Sequence, residues 1–267
     1  MFTTTRYRGN PVAVVLDGAG LTSAQMQQCA HWTNLSETTY VLAPEDPLAD
    51  YRVRIFTPSL ELPFAGHPTL GTCHAWLEAG GRPRGADVVQ QCGAGLVRVR
   101  RTESGLAFAA PPLVRYEPAD EDVVRRAVEA LGIGHAEVVD AHWVDNGPGW
   151  LALLLPSADA VLAVEPGFVG DLDLGVVGPH PAGSPVAFEV RGFFGKDRAT
   201  VEDPVTGSLN ASLGQWLLDT GRAKAPYVAA QGTALGREGR VHVDRDPDGQ
   251  IWVGGGTLTC VTGEIEA

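Results

Sequence analysis

The stretches ELPFAGH (residues 61–67) and EDPVTGS (residues 202–208) share one pattern, E-x-P-x-x-G followed by a polar side chain. Each runs into a small-residue segment ending in Trp-Leu, PTLGTCHAWL in one and LNASLGQWL in the other. Small side chains let neighbouring elements approach closely, so both segments read as helices buried nearly all round. His67 and Pro68 open the first, where proline in the first turn is tolerated. Gly80-Gly81 closes it and Gly221 closes the second. A turn and helix met twice, about 140 residues apart, predicts an internal duplication. Superimposing Trp76 on Trp216 takes a one-residue gap in that repeat.

The flanking sequence supports the duplication. NPVAVVLD (residues 10–17) reads as a strand, followed by the helix TSAQMQQCAHWTN with Thr22 and Gln25 spaced as a capping box. LSETTYVLA and the alternating YRVRIFTP read as strands, with Glu37 at the start of the former and Arg52 and Arg54 on one face of the latter. After the first buried helix come the strands ADVVQQC, GLVRVRRT and GLAFAAP, and then Pro111 and Pro112 mark a linker. The pattern then restarts. EDVVRRAVEALG reads as an acidic-capped helix; AEVVDAHWV, WLALLLP and PVAFEVRGFF read as strands. The second buried helix follows, and YVAAQG, GRVHVDRD and QIWVGGGTLTCVTGEI read as closing strands. The expected organisation is α+β: a half-repeat over residues 1–112 and another over 113–267, the last strand being able to return to the first domain.

Composition narrows the partners. A formal charge of −12 argues against nucleic acid and anionic membrane surfaces, since phosphate binding needs clustered Lys and Arg. The lysines are only Lys196 and Lys224, so Schiff-base chemistry has few candidates. Cys29, Cys73, Cys92 and Cys260 form no C-x-x-C pair; a metal site or disulfide framework is not expected, and free thiols suit a reducing, cytoplasmic setting. The start of the chain shows no basic region followed by an apolar core, and the most apolar run, from Trp150, is broken by Pro156, Ser157 and Asp159. No G-x-S-x-G is present, which disfavours an ordinary serine hydrolase.

Two halves facing each other across a pseudo-twofold axis would bring the two turns to one cleft. Each turn ends at a helix N-terminus, with free N–H groups and a positive dipole end. Gly66 and Gly207 permit close backbone approach. That arrangement suits a carboxylate or a developing oxyanion. His67, Asp203 and Ser208 are the polar side chains placed there, and their difference makes the two sides chemically unequal.

Taken together, GNPVAVVLD, NLSETTYVL, FTPSLELPFAGHPTLGT, EDPVTGSLNASLGQWL and GREGRVHV resemble the phenazine-biosynthesis PhzF-like family of isomerases, relatives of diaminopimelate epimerase and proline racemase. The resemblance covers nearly the whole chain in order. It implies the diaminopimelate-epimerase-like fold: two pseudo-twofold-related domains, each a curled sheet around a central buried helix, with the active site between them. It also implies cofactor independence, no metal, and commonly a homodimer. By the same resemblance Glu37 is the general acid/base, His67 assists proton movement and Asp203 completes the catalytic set. Gly66, Gly207, Ser208 and Ser36 bind a small carboxylate-bearing substrate. The implied reaction is like that of trans-2,3-dihydro-3-hydroxyanthranilate isomerase.

The racemase relatives carry Cys before each turn glycine, where this chain has Ala65 and Thr206. Two-thiol racemisation is therefore disfavoured, and one carboxylate shuttling a proton fits better. A racemase, epimerase or cyclase-like enzyme on an amino-acid-derived substrate is the alternative, and a catalytically silent binding protein of the same fold is a third. The segment before the second turn, RGFFGKDRATVEDP, departs from the family pattern around residues 195–199. It is expected to line the pocket and to alter substrate choice.

Overall fold

In the computed structural model, which describes residues 1–266, both stretches lead into helices of 13 residues, Gly66–Glu78 and Gly207–Asp219. The chain divides into two compact units: Met1–Ala109 together with the segment from Gly254 onward, and Ala110–Val253.

The first unit holds β1 (Ala13–Val15), α1 (Ser23–Thr33), β2 (Thr38–Leu42), β3 (Tyr51–Phe56), β4 (Glu61–Leu62), α2 (Gly66–Glu78), β5 (Val88–Cys92), β6 (Gly95–Thr102) and β7 (Gly105–Ala109). Its strands run in the order β1-β2-β3-β5-β6-β7, with β4 paired to β3. Thr22 caps α1 as the sequence predicts, its side chain accepting from the Gln25 amide while the Gln25 side chain returns to the Thr22 backbone. Met26 and Ala30 of α1 pack on Tyr40 and Phe56. The Tyr40 hydroxyl donates to the Met26 carbonyl at 2.8 Å, so this buried polar group is satisfied. The other helix, α2, touches β1, β2, β5 and β7. Those strands stand at both ends of the order and in its middle, so the sheet must curl around α2. Residues 66–73 of α2 are buried without a break, as small side chains on all sides demand.

The second unit holds β8 (Arg115–Pro118), α3 (Glu121–Leu131), β9 (Asp140–Asp145), β10 (Trp150–Leu154), α4 (Ala158–Leu162), β11 (Asp173–Pro179), β12 (Phe188–Lys196), β13 (Ala199–Asp203), α5 (Gly207–Asp219), β14 (Tyr227–Gln231) and β15 (Gly239–Arg245), and β16 (Ile251–Gly255) ends the regular structure. Here the order is β15-β14-β12-β11-β10-β9-β8, with β13 on β12. Helix α5 touches β15, β10 and β9, so this sheet also curls around its helix. Gly175 and Gly214 let the sheet and helix meet: a Cβ at Gly175 would stand 2.3 Å from Leu209, and one at Gly214 would stand 2.8 Å from Val243. The opposite face of the sheet packs Val124, Val128 and Leu131 of α3 on Leu151, Leu153, Leu174 and Val176.

Glutamate has the same task in both E-x-P-x-x-G stretches. Phe56 pairs with Glu61 across one hairpin, and Phe193 pairs with Glu202 across the other. Two residues before each Phe stands an Arg that grips the Glu with both ends of its guanidinium. Arg54 reaches Glu61 at 2.8 and 2.6 Å, and Arg191 reaches Glu202 at 3.0 and 2.8 Å. Each Arg also lies over its own Phe ring, at 5.0 Å for Arg54 and 4.9 Å for Arg191. A planar, two-pronged cation suits both contacts at once.

A buried Gln has a parallel task. Gln90 on β5 donates to Thr69 of α2 at 3.0 Å; on β14, Gln231 accepts from Asn210 of α5 at 2.7 Å. Glu61 and Glu202, Gly66 and Gly207, Thr69 and Asn210, and Gln90 and Gln231 all stand 141 positions apart. The repeat therefore runs without the gap expected between the tryptophans, and the counterpart of Trp76 is Leu217.

Other expectations need correction. Strands β8 and β11 are not anticipated: RYEP is short, exposed and Pro-ended, and DLGVVGP is a short apolar run cut by glycine, which periodicity does not separate from a loop. RGFFGKDRATVEDP is not a loop. It is strand β12, a two-residue turn with Asp197 and Arg198 both at positive φ, and strand β13. Residues 196–199, within the segment expected to line the pocket, are an exposed hairpin tip. Asp120 stands at the N-cap of α3 but makes no side-chain cap bond, so the acidic start of that helix acts through Glu121 and Asp122. The last strand stops at Gly255. Residues 258–266 are exposed with no regular structure, because β-branched composition makes a strand only where a neighbour supplies hydrogen bonds.

Candidate active site

Parallel pairing builds the first half of the site. Strands β1 and β2 run parallel with Ala13 opposite Thr38, so the residues just before them emerge at one edge. Those residues include Asn10 and Glu37. Helix α2 packs on both strands and brings in His67 as its second residue. His67 Nε2 lies 2.9 Å from Glu37 Oε2, with only 5% of the His67 side chain and 14% of the Glu37 side chain exposed. The other ring nitrogen, Nδ1, lies 3.3 Å from the amide nitrogen of Asn10, which is fully buried.

The Glu37–His67 contact is close but out of line. The two atoms are within ion-pair reach, yet neither makes a hydrogen bond of good geometry, and both are buried. A buried polar atom left in this state is costly unless something else completes it. A substrate oxygen, nitrogen or acidic C–H entering between them would do so. Ser36, expected to bind substrate, is exposed on the bend before β2.

The second unit places its residues around the start of α5. Asp203 ends β13, and its Oδ2 accepts from the Thr206 hydroxyl at 2.7 Å. Gln231 splints this turn. Its Oε1 accepts from the Thr206 amide at 2.9 Å, and its Nε2 donates to the Thr206 hydroxyl at 2.9 Å and to the Asp203 carbonyl at 3.2 Å. Ser208 is fixed from another side: Trp150 Nε1 donates to its hydroxyl oxygen and Asn146 donates to its carbonyl, each at 3.0 Å. With its oxygen taken as acceptor, the Ser208 hydroxyl keeps a proton to donate. Neither Asp203 nor Ser208 caps α5. The N-cap of α5 is Thr206 and that of α2 is Ala65, and neither helix has a side-chain cap bond. The first N–H groups of both helices thus meet no capping side chain.

Sequence reading singles out neither Asn10, Gln231, Trp150 nor Asp173. Asn10 and Gln231 are polar residues at full burial, a state that a single sequence does not reveal. Asp173 stands opposite Trp150 in the β10–β11 ladder. Burial pushes its carboxyl up to about 6, with the charge of Asp145 adding to the effect. The folded chain holds this proton more tightly than the unfolded chain does, so stability falls as pH rises from about 3.8 to about 6. Asp173→Asn is expected to raise the unfolding midpoint at pH 7 and to change it little at pH 3.5. Equal midpoints for variant and wild type at pH 7 would refute this.

None of the cysteines precedes Gly66 or Gly207. All four are free thiols, and burial pushes the Cys73 thiol up to about 12, which leaves almost no thiolate at neutral pH.

A family model described as phenazine biosynthesis-like protein matches residues 1–263. The chain is 35% identical to Antisense-enhancing sequence 1 of Schizosaccharomyces pombe, over 99% of this chain and 96% of that one. It is 34% identical to the trans-2,3-dihydro-3-hydroxyanthranilate isomerase of Pseudomonas fluorescens, over 88% of this chain and 84% of that one. Among solved structures, a phenazine biosynthesis protein of the PhzF family from Enterococcus faecalis superimposes with a TM-score of 0.77 at 26% identity, covering 95% of this chain and 92% of that one. A probable proline racemase from Agrobacterium radiobacter K84 superimposes with a TM-score of 0.51 at 13% identity, covering 91% and 84%, which is a likeness of fold alone.

Proposed function

The chain belongs to the phenazine biosynthesis-like family, and from that premise we propose that it is a cofactor-independent isomerase that moves one proton within a small carboxylate-bearing metabolite through Glu37. The observation that carries the reading is the buried Glu37–His67 pair, 2.9 Å apart with hydrogen-bonding capacity unspent on both sides. A carboxylate in that position takes a proton from a substrate carbon acidified by conjugation, then returns it to a different carbon of the same molecule. One C–H bond breaks, another forms, and the double bonds shift between them; no redox partner is needed. His67 stays beside the carboxylate through both transfers. In each unit by itself the helix start lacks a side-chain cap, and in the second the Ser208 hydroxyl proton is available, which supports a role for these groups in holding an anionic substrate.

The isomerases of this family named for trans-2,3-dihydro-3-hydroxyanthranilate make that compound the first substrate to test. A two-thiol racemase finds no support, since Ala65 and Thr206 occupy the positions such a mechanism needs, and the Thr206 hydroxyl is engaged with Asp203. Turnover of trans-2,3-dihydro-3-hydroxyanthranilate in D₂O, followed by NMR, is the test. Conversion by the wild type is the expected result. Binding without conversion or exchange would instead identify a silent binding protein. Within the same assay, Ser208→Ala is expected to raise KM by about 10-fold with kcat nearly unchanged, as fits one lost hydrogen bond to a charged group. An unchanged KM would remove Ser208 from the substrate site.

A further inference from the structure

We propose that Asn10 is a positioning residue that fixes the tautomer of His67, so that the neutral ring carries its N–H on Nε2, the nitrogen nearer Glu37. The inference rests on the reading of Glu37 as the proton carrier. Asn10 Nδ2 lies 3.3 Å from His67 Nδ1, with Asn10 fully buried and His67 4% exposed. An amide nitrogen carries only hydrogens, so the ring nitrogen it faces must offer a lone pair. A neutral imidazole has one N–H; with Nδ1 acting as acceptor, that proton sits on Nε2. Nε2 is the atom 2.9 Å from Glu37 Oε2.

The consequence is directional. An Nε2–H on that side presents a donor, not a lone pair, to the carboxylate and to a substrate atom entering beside it. The opposite tautomer would set a nitrogen lone pair there instead. Asn10 thereby decides whether His67 meets the reacting groups as a donor or as an acceptor. Its own placement is rigid. It precedes β1, its backbone N–H donates to the Met1 carbonyl at 3.2 Å, and a Cβ on neighbouring Gly9 would stand 2.1 Å from that carbonyl oxygen.

The test reads the tautomer directly. Protein labelled with ¹⁵N-histidine is examined by long-range ¹H–¹⁵N NMR, with no substrate present. In the wild type, His67 is expected to show an unprotonated Nδ1 and a protonated Nε2. Asn10→Asp puts an acceptor of the same shape in place of the donor, and is expected to move the proton to Nδ1 or to protonate both nitrogens. Asn10→Ala removes the preference. With trans-2,3-dihydro-3-hydroxyanthranilate as probe, Asn10→Asp is expected to lower kcat by roughly 10²-fold with KM within a few-fold of wild type.

A wild-type ring protonated at Nδ1 would overturn the proposal, and that reading stands even where a variant fails to fold. A shifted tautomer with unchanged kcat would overturn it as well. Failure of the wild type to convert the probe would count against the isomerase reading, while the tautomer measurement would still decide the role of Asn10.

Discussion

Glu37→Gln is expected to bind substrate and fail to isomerise it. Gln keeps the size and one acceptor of Glu but cannot hold and return a proton. Positioned acid–base catalysis contributes on the order of 10²–10⁴ in rate, so kcat should fall by that factor and uptake of solvent deuterium should fall with it. The substrate affinity should stay within a few-fold of wild type. The side chain is partly buried at the mouth of β2 and makes no good hydrogen bond to His67, so replacing it releases no structural anchor. The unfolding midpoint of the variant should therefore match that of the wild type, which separates lost chemistry from lost structure. Turnover and deuterium uptake by Glu37→Gln equal to wild type would refute the mechanism outright.

Arg191→Met is expected to be the most destabilising of the substitutions considered. The Arg191–Glu202 pair is nearly dry, with side chains 6% and 11% exposed. The same guanidinium also donates to the carbonyls of Val161 and Val164, at 3.2 and 2.7 Å, and so ties α4 to the sheet. Removing the cation leaves a buried carboxylate and the Val164 carbonyl without this donor, while the Val161 carbonyl keeps the Val164 amide. Breaking one side of such a pair costs about 3–5 kcal/mol, a large share of the roughly 5–15 kcal/mol that holds a domain together. The equivalent change in the first unit, Arg54→Met, acts on a pair whose Glu61 is 42% exposed. Water takes over there, and the cost should be about 1 kcal/mol or less. Urea unfolding of the two variants checks the contrast. Equal losses would mean that burial does not govern these pairs. Adding Glu202→Gln to Arg191→Met should recover part of the loss, because it removes the uncompensated charge.

What the sequence discloses and what it hides follow from range. Thr22 and Gln25 state their capping box within four residues, and the structure forms it. The buried helices are legible because GHPTLGTC and GSLNASLG leave no polar face to expose. Glu37 and His67 stand 30 positions apart, and only the resemblance to a family sets them side by side. Nothing local marks Asn10 as a neighbour of His67, because that contact depends on β1 running parallel to β2. The hairpin tip at Asp197 and Arg198 is hidden for a different reason. Turns of this hand favour Asn and Gly, and Asp-Arg does not advertise one. Strand β11 is hidden because its buried run is short and carries its own glycines, at Gly175 and Gly178.

The 141-position spacing from Glu61 and Glu202 through Gln90 and Gln231 amounts to an alignment of the chain with itself, and it separates what can change length from what cannot. Four residues lie between Phe56 and Glu61, and eight between Phe193 and Glu202. The two hairpins differ in length, and the clamp of Arg, Phe and Glu is the same in both. From the Glu to the Gln no residue has been gained or lost on balance in either copy, although most side chains have changed. One extra residue in the helix between the turn and Thr69 or Asn210 would turn the part that follows by about 100° and carry that side chain away from its glutamine. Insertions made to alter this protein therefore belong at the hairpins ahead of the turns. The stretch from turn to glutamine has the same length in both units.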